Sequence, residues 1–349
     1  MLPEIFVLGL GSVLAPLFGW SFRTLPGERW QFIGCLLAGK DADGGWRGLN
    51  LTYYGFFTAT AYLLAAVLFY LLAKSLSQPS AGIVILLAAI LAICVPASRL
   101  IASRVEGKAN TFTVGGASFA GLIAAPLVIQ ALQAVPVAQL RLTAPMMAVL
   151  AAVSIAYAIG EGIGRLACIS FGCCYGKPLA ASPPWLRRIF QGRAFVFSGQ
   201  TKKIAYAHQL EGREVIPVQA LSAIVLTVAG LTGCYGFLKG FYAAAFLGTL
   251  VTSQGWRALS ECLRADHRGG GKITAYQVMA LLSIGYALIL LALFPGAGGT
   301  PDLKAALAAL WDPAVLIFFQ FLWVAVFLHT GRSRVTGATV RLHVLRDRI

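Results

Sequence analysis

Two groups of residues in this chain have side chains whose types and spacing suit chemistry on a phosphate. The first is a glycine-rich segment, residues 160–176, which contains Glu161 and Arg165. The second is a triplet spaced i, i+4 and i+7, a spacing that places its members on one helix face: Arg257, Glu261 and Arg264. A guanidinium binds a phosphodiester through two parallel hydrogen bonds, and glycines let backbone and ligand approach closely. The two groups together predict a phosphate-binding site.

Both groups also have a purely structural interpretation. An arginine at the end of an apolar helix can extend its charged head to the surface, and Glu161 precedes Arg165 by one helical turn, as in an ordinary ion pair. The triplet could form a ladder of ion pairs inside a helical bundle. Both interpretations of the triplet can be true at once if Glu261 orients Arg257 toward the ligand.

Three of the seven cysteines form a C-x4-C-C cluster: Cys168, Cys173 and Cys174. Zinc sites usually add a second pair of ligands, and the nearest histidine along the chain is His208. We therefore expect no metal and no other cofactor. Packing is the favoured role of the cluster, ahead of a redox-active or structural cysteine pair.

The composition indicates which elements must position these residues. The 349 residues are 58% hydrophobic and only 12% charged, about half the charged fraction of a soluble domain. Continuous apolar runs in a bilayer must be helices, because every backbone polar group needs an internal partner. We predict an all-α, polytopic transmembrane protein. Seven runs are long enough to span: 51–73, 83–100, 115–135, 144–163, 216–237, 241–263 and 273–294.

The chain divides into three predicted regions. Residues 1–50 form an N-terminal arm or re-entrant segment that ends in a basic loop, and residues 51–300 form the transmembrane core with an extramembrane insertion at 168–215. Residues 301–349 contain an extra apolar helix and a basic tail. We expect that extra helix, at residues 315–329, to lie half-inserted or at the membrane interface.

The net charge of +15 is concentrated between the apolar runs and in the tail. This pattern favours anionic lipid headgroups as partners and argues against nucleic acid. The basic tail predicts a cytoplasmic C-terminus by the positive-inside rule. A transporter or channel is disfavoured, because the sequence has no paired inverted halves.

Five segments resemble, in order, the motifs of the prolipoprotein diacylglyceryl transferase family between about residues 51 and 282. They are Thr52-Tyr53-Tyr54-Gly55, the Gly-Gly-x-Ser-Phe-x-Gly segment at 115–121, the signature at 164–176, Pro217-Val218-Gln219, and Arg257-x3-Glu261-x2-Arg264.

The resemblance implies a seven-span transferase of the bacterial inner (cytoplasmic) membrane. Such enzymes move diacylglyceryl from phosphatidylglycerol to the lipobox cysteine thiol of a preprolipoprotein and release glycerol-1-phosphate. The implied partners are phosphatidylglycerol, or a related anionic phospholipid, and a preprolipoprotein signal peptide. By position, Arg165 and Arg257 would be catalytic residues that hold the lipid phosphate. Glu161 is the third catalytic candidate, as the ionisable residue nearest to Arg165 in sequence. The substrate-binding residues would be Tyr54, Gly116, Ser118, Cys168, Gly176, Gln219, Glu261 and Arg264.

The chain departs from the family pattern at several positions. Ala120 stands where the family has its histidine, the usual general-base candidate, and Cys168 and Cys173 stand at an asparagine and an acidic position. The signature loop faces the periplasm in the family, whereas residues 168–215 are strongly basic here. A second hypothesis therefore remains, namely a catalytically lapsed relative that binds anionic phospholipid without transferring it.

Overall fold

The structure, a computed structural model, describes residues 1–107, 113–266, 269, 273–295 and 299–349. It is 68% helical, which confirms the predicted all-α membrane fold. The helices of the described residues are α1 (Leu2–Thr24), α2 (Tyr53–Ser75), α3 (Ser80–Glu106), α4 (Val114–Ala134), α5 (Met146–Phe171), α6 (Pro184–Phe190), α7 (Lys203–His208), α8 (Val218–Leu238), α9 (Tyr242–Glu261), α10 (Ala275–Leu293), α11 (Leu303–Ala309) and α12 (Pro313–Thr330).

Each of the seven predicted runs forms a helix: α2, α3, α4, α5, α8, α9 and α10. Six of these, together with α1 and α12, are long and apolar enough to cross a bilayer. The seventh, α9, carries more polar residues, but it has 20 residues and packs against α5, α8 and α10. The most buried helix is α5, which lies against α2, α8 and α9 at the centre of the bundle.

Three helix ends differ from the prediction. Helix α3 continues through Pro96 to Glu106, beyond the end of the predicted run at residue 100. Helix α5 extends to Phe171, so Arg165 and Cys168 lie within its last two turns. Helix α9 ends at Glu261, which leaves Arg264 beyond the helix.

The N-terminal region is not a re-entrant segment, because α1 is one continuous helix that passes through Pro16. It packs along α8, and Glu4 near its start forms an ion pair of 2.6 Å with Lys239. Pro16 is exposed, and a membrane helix tolerates such a proline where local adjustments of the helix re-pair the freed backbone carbonyl. This helix is an addition in front of the seven predicted spans.

The predicted basic loop and the basic tail both contain strands. Strands β1 (Phe32–Lys40), β2 (Trp46–Thr52) and β5 (Arg332–Val340) form an antiparallel sheet in the order β1-β2-β5. Two shorter strands, β3 (Phe195–Val196) and β4 (Glu214–Val215), pair within the extramembrane subdomain, residues 172–217. The β2–β5 pairing joins segments at opposite ends of the chain, so local sequence patterns could not predict it.

Helix α12 runs antiparallel along most of α2. The rings of Phe319 and Tyr70 are 5.8 Å apart, and Trp323 Nε1 donates a hydrogen bond of 3.2 Å to Thr60 Oγ1. At the far end, Gly331 touches Gly55 so closely that an added Cβ on Gly55 would lie 2.1 Å from it. Helix α12 is also long and apolar enough to cross a bilayer, and its contact with α2 over this length favours a spanning position over the expected half-inserted or interfacial one.

The two ends of the bundle differ in charge. The sheet end comprises the three-stranded sheet, the extramembrane subdomain and the C-terminal ends of α1, α3, α5, α9 and α12. Among the described residues, the basic side chains at the opposite end are Lys74, Arg141, Lys239 and Lys304. The other described lysines and arginines lie toward the sheet end. The tail and the signature loop therefore share one side, so a cytoplasmic tail and a periplasmic signature loop cannot both hold.

Candidate functional site

A buried cluster of ionised and polar side chains joins α5 to α9 near the sheet end. Glu161 accepts a hydrogen bond from Arg165 through Oε1 and one from Arg257 Nη2, at 2.6 Å, through Oε2. The Tyr157 hydroxyl donates to Glu161 and accepts from Arg257. Because Tyr157, Glu161 and Arg165 are spaced by four residues, they share one face of α5.

This cluster retains hydrogen-bond donors for a ligand. The Nε atoms of Arg165 and Arg257 are buried and have no acceptor among the described residues. The side chains of Arg165, Arg257 and Glu161 are only 12%, 9% and 4% exposed, so water screens their charges weakly. Two guanidinium groups and one carboxylate leave an excess of one positive charge, which matches the single negative charge of a phosphodiester.

The start of α4 lies against this cluster. A Cβ added to Gly115 would stand 3.2 Å from Arg257 Nη1 and 2.9 Å from the Tyr276 ring. Ser118 Oγ donates to Gly115 O at 3.0 Å and also interacts with the Tyr157 hydroxyl. Gly116, which the resemblance made a substrate-binding residue, instead packs against Ile101 of α3. Gly115 is therefore the glycine whose lack of a side chain leaves room for the Arg257 guanidinium.

The expected ladder of Arg257, Glu261 and Arg264 does not form on one helix face. Arg264 lies beyond the end of α9 and forms a bidentate pair with Asp266, at 2.8 and 2.7 Å, with Glu261 3.6 Å away. The residue that orients Arg257 is Glu161 and not Glu261. Sequence spacing could not identify this partner, because Glu161 lies on α5 and Arg257 lies on α9.

The signature loop is held tightly at its C-terminal end. A Cβ added to Gly176 would lie 2.3 Å from Ile216 O, and Gly176 forms an isolated β-bridge with Arg264. Gln219 at the start of α8 donates from Nε2 to Cys173 O at 2.9 Å. Gly176 and Gln219, which the resemblance made substrate-binding residues, thus position the loop.

The three cysteines of the signature come together next to Arg165. The Sγ atoms of Cys168, Cys173 and Cys174 all lie within 4.8 Å of one another. Tyr54 stacks edge-to-face on Phe171, with ring centroids 5.6 Å apart, and its hydroxyl is close enough to interact electrostatically with the thiols. The predicted residues Tyr54 and Cys168 therefore adjoin the arginine cluster.

Two lysines of the extramembrane subdomain approach the same loop. The fully buried Lys202 Nζ donates to Leu25 O at 3.1 Å and to Ser170 O at 2.6 Å, and burial lowers its pKa to about 8. Burial would also lower the pKa of Lys203, but the negative charge of the Cys173 and Cys174 thiolates and of Asp266 raises it above its usual value. The loop thus lies in positively charged surroundings.

Sequence reasoning missed Tyr157 and Gly115. Tyr157 precedes Glu161 by one turn in an otherwise apolar run, and that spacing could have assigned it to the same face. Gly115 adjoins Gly116 in the glycine pair, and only the helix orientation decides which of the two faces Arg257. The two phosphate-binding candidates, Arg165 and Arg257, are brought together as the sequence predicted.

These observations describe a polytopic α-helical membrane protein with a buried arginine pair suited to a phosphate. The sequence profile of the family described as prolipoprotein diacylglyceryl transferase matches residues 46–293. The chain therefore belongs to that family, which confirms the resemblance and extends it to β2. Helix α1 and the segment from α11 to β5 lie outside the match. No curated protein shows significant similarity to the chain.

Proposed function

We propose that this protein transfers the diacylglyceryl group of phosphatidylglycerol, or of a related anionic phospholipid, to a cysteine thiol. The observation that carries the proposal is the pair of unpartnered Nε–H groups on Arg165 and Arg257. Both guanidinium groups are fixed by Glu161, so their remaining donors are preorganised. Buried, oriented donors stabilise charge far better than solvated ones do.

The reaction needs charge stabilisation at one group. The acceptor sulfur attacks the glycerol carbon that bears the phosphate ester, a C–S bond forms, and the C–O bond to phosphate breaks. The oxygen leaves with the phosphate as glycerol-1-phosphate, and the thiol proton passes to solvent. Negative charge grows on the phosphate during this step, and Arg165 and Arg257 are the groups that bind it.

The activation of the thiol is the weaker part of this chemistry. Ala120 provides no imidazole, and both oxygens of Glu161 are engaged by Arg165 and Arg257. These two facts favour a second candidate function, the binding of anionic phospholipid without transfer. A free thiol is only a few per cent ionised near neutral pH, so an unassisted reaction would be slow.

A transfer assay distinguishes the two functions. Membrane vesicles containing the protein receive radiolabelled phosphatidylglycerol and a soluble lipobox peptide, and both inside-out and right-side-out vesicles are used. The proposal predicts label on the peptide in one vesicle orientation. We expect Arg165→Ala to reduce it by at least about a hundredfold, the usual effect of losing a charge-stabilising donor.

The control is Arg104→Ala, which removes an exposed arginine at the same end of the bundle and should leave transfer unchanged. Full activity in Arg165→Ala would refute the assignment of the site. Absence of transfer by the wild type, with activity gained in Ala120→His, would establish the lapsed, lipid-binding function.

A further inference from the structure

The cluster of Cys168, Cys173 and Cys174 is the feature of the site that the arginine chemistry does not use. Cys173 is buried and the other two are half-buried. Four-coordinate zinc has Zn–S bonds of about 2.3 Å, which separate its sulfur ligands by roughly 3.8 Å in a tetrahedron. Three Sγ atoms already within 4.8 Å of one another need only small side-chain rotations to meet one ion.

The backbone holds these thiols together without the help of a ligand. Gly172 ends α5 in a left-handed conformation, and Cys173 N donates to Cys168 O at 3.0 Å, so the chain turns back over the last helical turn. Cys174 has φ = +56°, a conformation that costs a non-glycine residue free energy and concentrates at functional sites.

The charge around the cluster fits a metal–thiolate unit. Three thiolates and one divalent ion carry one net negative charge. Arg165, Arg264 and Lys203 all lie close enough to interact electrostatically with these cysteines. These cations would stabilise the thiolates that a soft metal requires.

We propose that Cys168, Cys173 and Cys174 form a three-thiolate site for one Zn²⁺ ion, with its fourth coordination position open. Three protein ligands and one open position are the arrangement of catalytic zinc sites, whereas structural sites are closed by four. This proposal argues against the sequence-based expectation that the chain binds no metal.

An open coordination position beside the phosphate-binding arginines would let the metal activate the acceptor thiol. This role of the metal rests on the proposed transfer function. A thiol that binds zinc is deprotonated, so the acceptor cysteine would displace bound water and release its proton to solvent. Its sulfur would form the C–S bond as the C–O bond to phosphate breaks, with no change in the oxidation state of the metal. The ion would thereby supply the activation that Ala120 cannot provide.

Cobalt is the probe that tests the site without any activity measurement. The full-length protein is purified in detergent, reduced, freed of metal and titrated with Co²⁺, and the thiolate-to-cobalt charge-transfer band is recorded. We expect one ion per chain in the wild type, displacement by Zn²⁺, and loss of the band in Cys173→Ser. Cys262→Ser, which removes an exposed cysteine at the end of α9, is the matched control and should retain it.

Folding of each variant is checked by its retention of phosphatidylglycerol. Failure of the wild type to bind Co²⁺, or equal binding by the triple serine variant, would overturn the proposal. A disulfide among the three cysteines in the protein as isolated would also overturn it. Chelation of the wild type provides a test that needs no substitution, since removal of the ion should abolish transfer and added Zn²⁺ should restore it.

The open position has its own test. A lipobox peptide should alter the cobalt spectrum when it carries cysteine and not when serine replaces that cysteine. No change with either peptide would overturn the thiol-activation role. Stoichiometric metal without any transfer would instead refute the proposed function and leave the metal site standing, so the two failures are distinguishable.

Discussion

The replacement Glu161→Gln tests whether one carboxylate holds the two arginines of the site. The side chain of Glu161 is 4% exposed and accepts bonds from both Arg165 and Arg257. The amide keeps the size of the side chain but removes its charge, which leaves two guanidinium groups buried without a counter-ion. Removal of one partner of a buried ion pair typically costs about 3–5 kcal/mol of folding free energy.

The assay is thermal unfolding in detergent doped with either phosphatidylcholine or phosphatidylglycerol. At about 2 °C per kcal/mol, Glu161→Gln should lower the unfolding temperature by roughly 6–10 °C in phosphatidylcholine. Phosphatidylglycerol should restore part of this loss and stabilise the variant more than the wild type. An anionic phosphate then supplies the charge that the carboxylate no longer provides.

The control for this prediction is Glu214→Gln, which alters an exposed carboxylate in β4 and should leave the unfolding temperature unchanged. Transfer by Glu161→Gln should fall together with stability, because neither guanidinium remains oriented. An unfolding temperature and a transfer rate equal to those of the wild type would refute the account of the arginine cluster.

Three further predictions concern the signature loop, the subdomain and the orientation of the bundle. Gly176→Ala places a Cβ 2.3 Å from Ile216 O, so it should lower the folding stability by about 1–3 kcal/mol and reduce transfer. The control Gly248→Ala, whose Cβ would have nothing within 4 Å, should change neither quantity. Thermal unfolding and the transfer assay measure both. The pKa of Lys202 is about 8 in the folded protein and 10.5 in its ordinary, unfolded state. Between these pH values the unfolded chain binds more protons than the folded one, so the free energy of unfolding should rise with pH, by about 3 kcal/mol in all. Unfolding temperatures measured from pH 7 to pH 10 should show the rise in the wild type and not in Lys202→Met. A reporter fused after Ile349 should report a cytoplasmic C-terminus, because the basic residues lie toward the sheet end; a periplasmic signal would contradict that orientation.

The orientation of the bundle bears on the acceptor. The sheet end carries the tail, the signature loop and the arginine cluster, so a cytoplasmic reporter signal would place the site on the cytoplasmic side as well. The acceptor would then be a thiol that approaches from the cytoplasm, unlike a lipobox cysteine that has already been translocated. The vesicle orientation that supports transfer should agree with the reporter.

The apolar helices were predictable because each follows from local composition. Seven of the long helices arise from continuous hydrocarbon-like runs, and a bilayer leaves such runs no other way to pair their backbone groups. The ends were less predictable, since α1 and α3 continue through the exposed residues Pro16 and Pro96, although each proline removes one backbone hydrogen bond of its helix. The three-stranded sheet was missed because β2 pairs with β5, a segment some 280 residues distant.

The site was predictable in its residue types and less so in its pairing. Arg165 and Arg257 stand out as charged residues in apolar runs, and such residues usually face the interior of a bundle. Their common partner, Glu161, could be assigned to Arg165 by spacing but not to Arg257, which lies on another helix. The approach of the three thiols depends on the left-handed turn at Gly172 and Cys174, which no spacing rule reveals.

The most direct test of the central claim is to measure which phospholipid the arginine pair retains. The wild type, Arg165→Ala, Arg257→Ala and the control Arg104→Ala would be purified in mild detergent, and their bound lipids identified by native mass spectrometry. We expect phosphatidylglycerol on the wild type and the control, and its loss from both site variants. Retention of phosphatidylglycerol by either site variant at the wild-type level would contradict it.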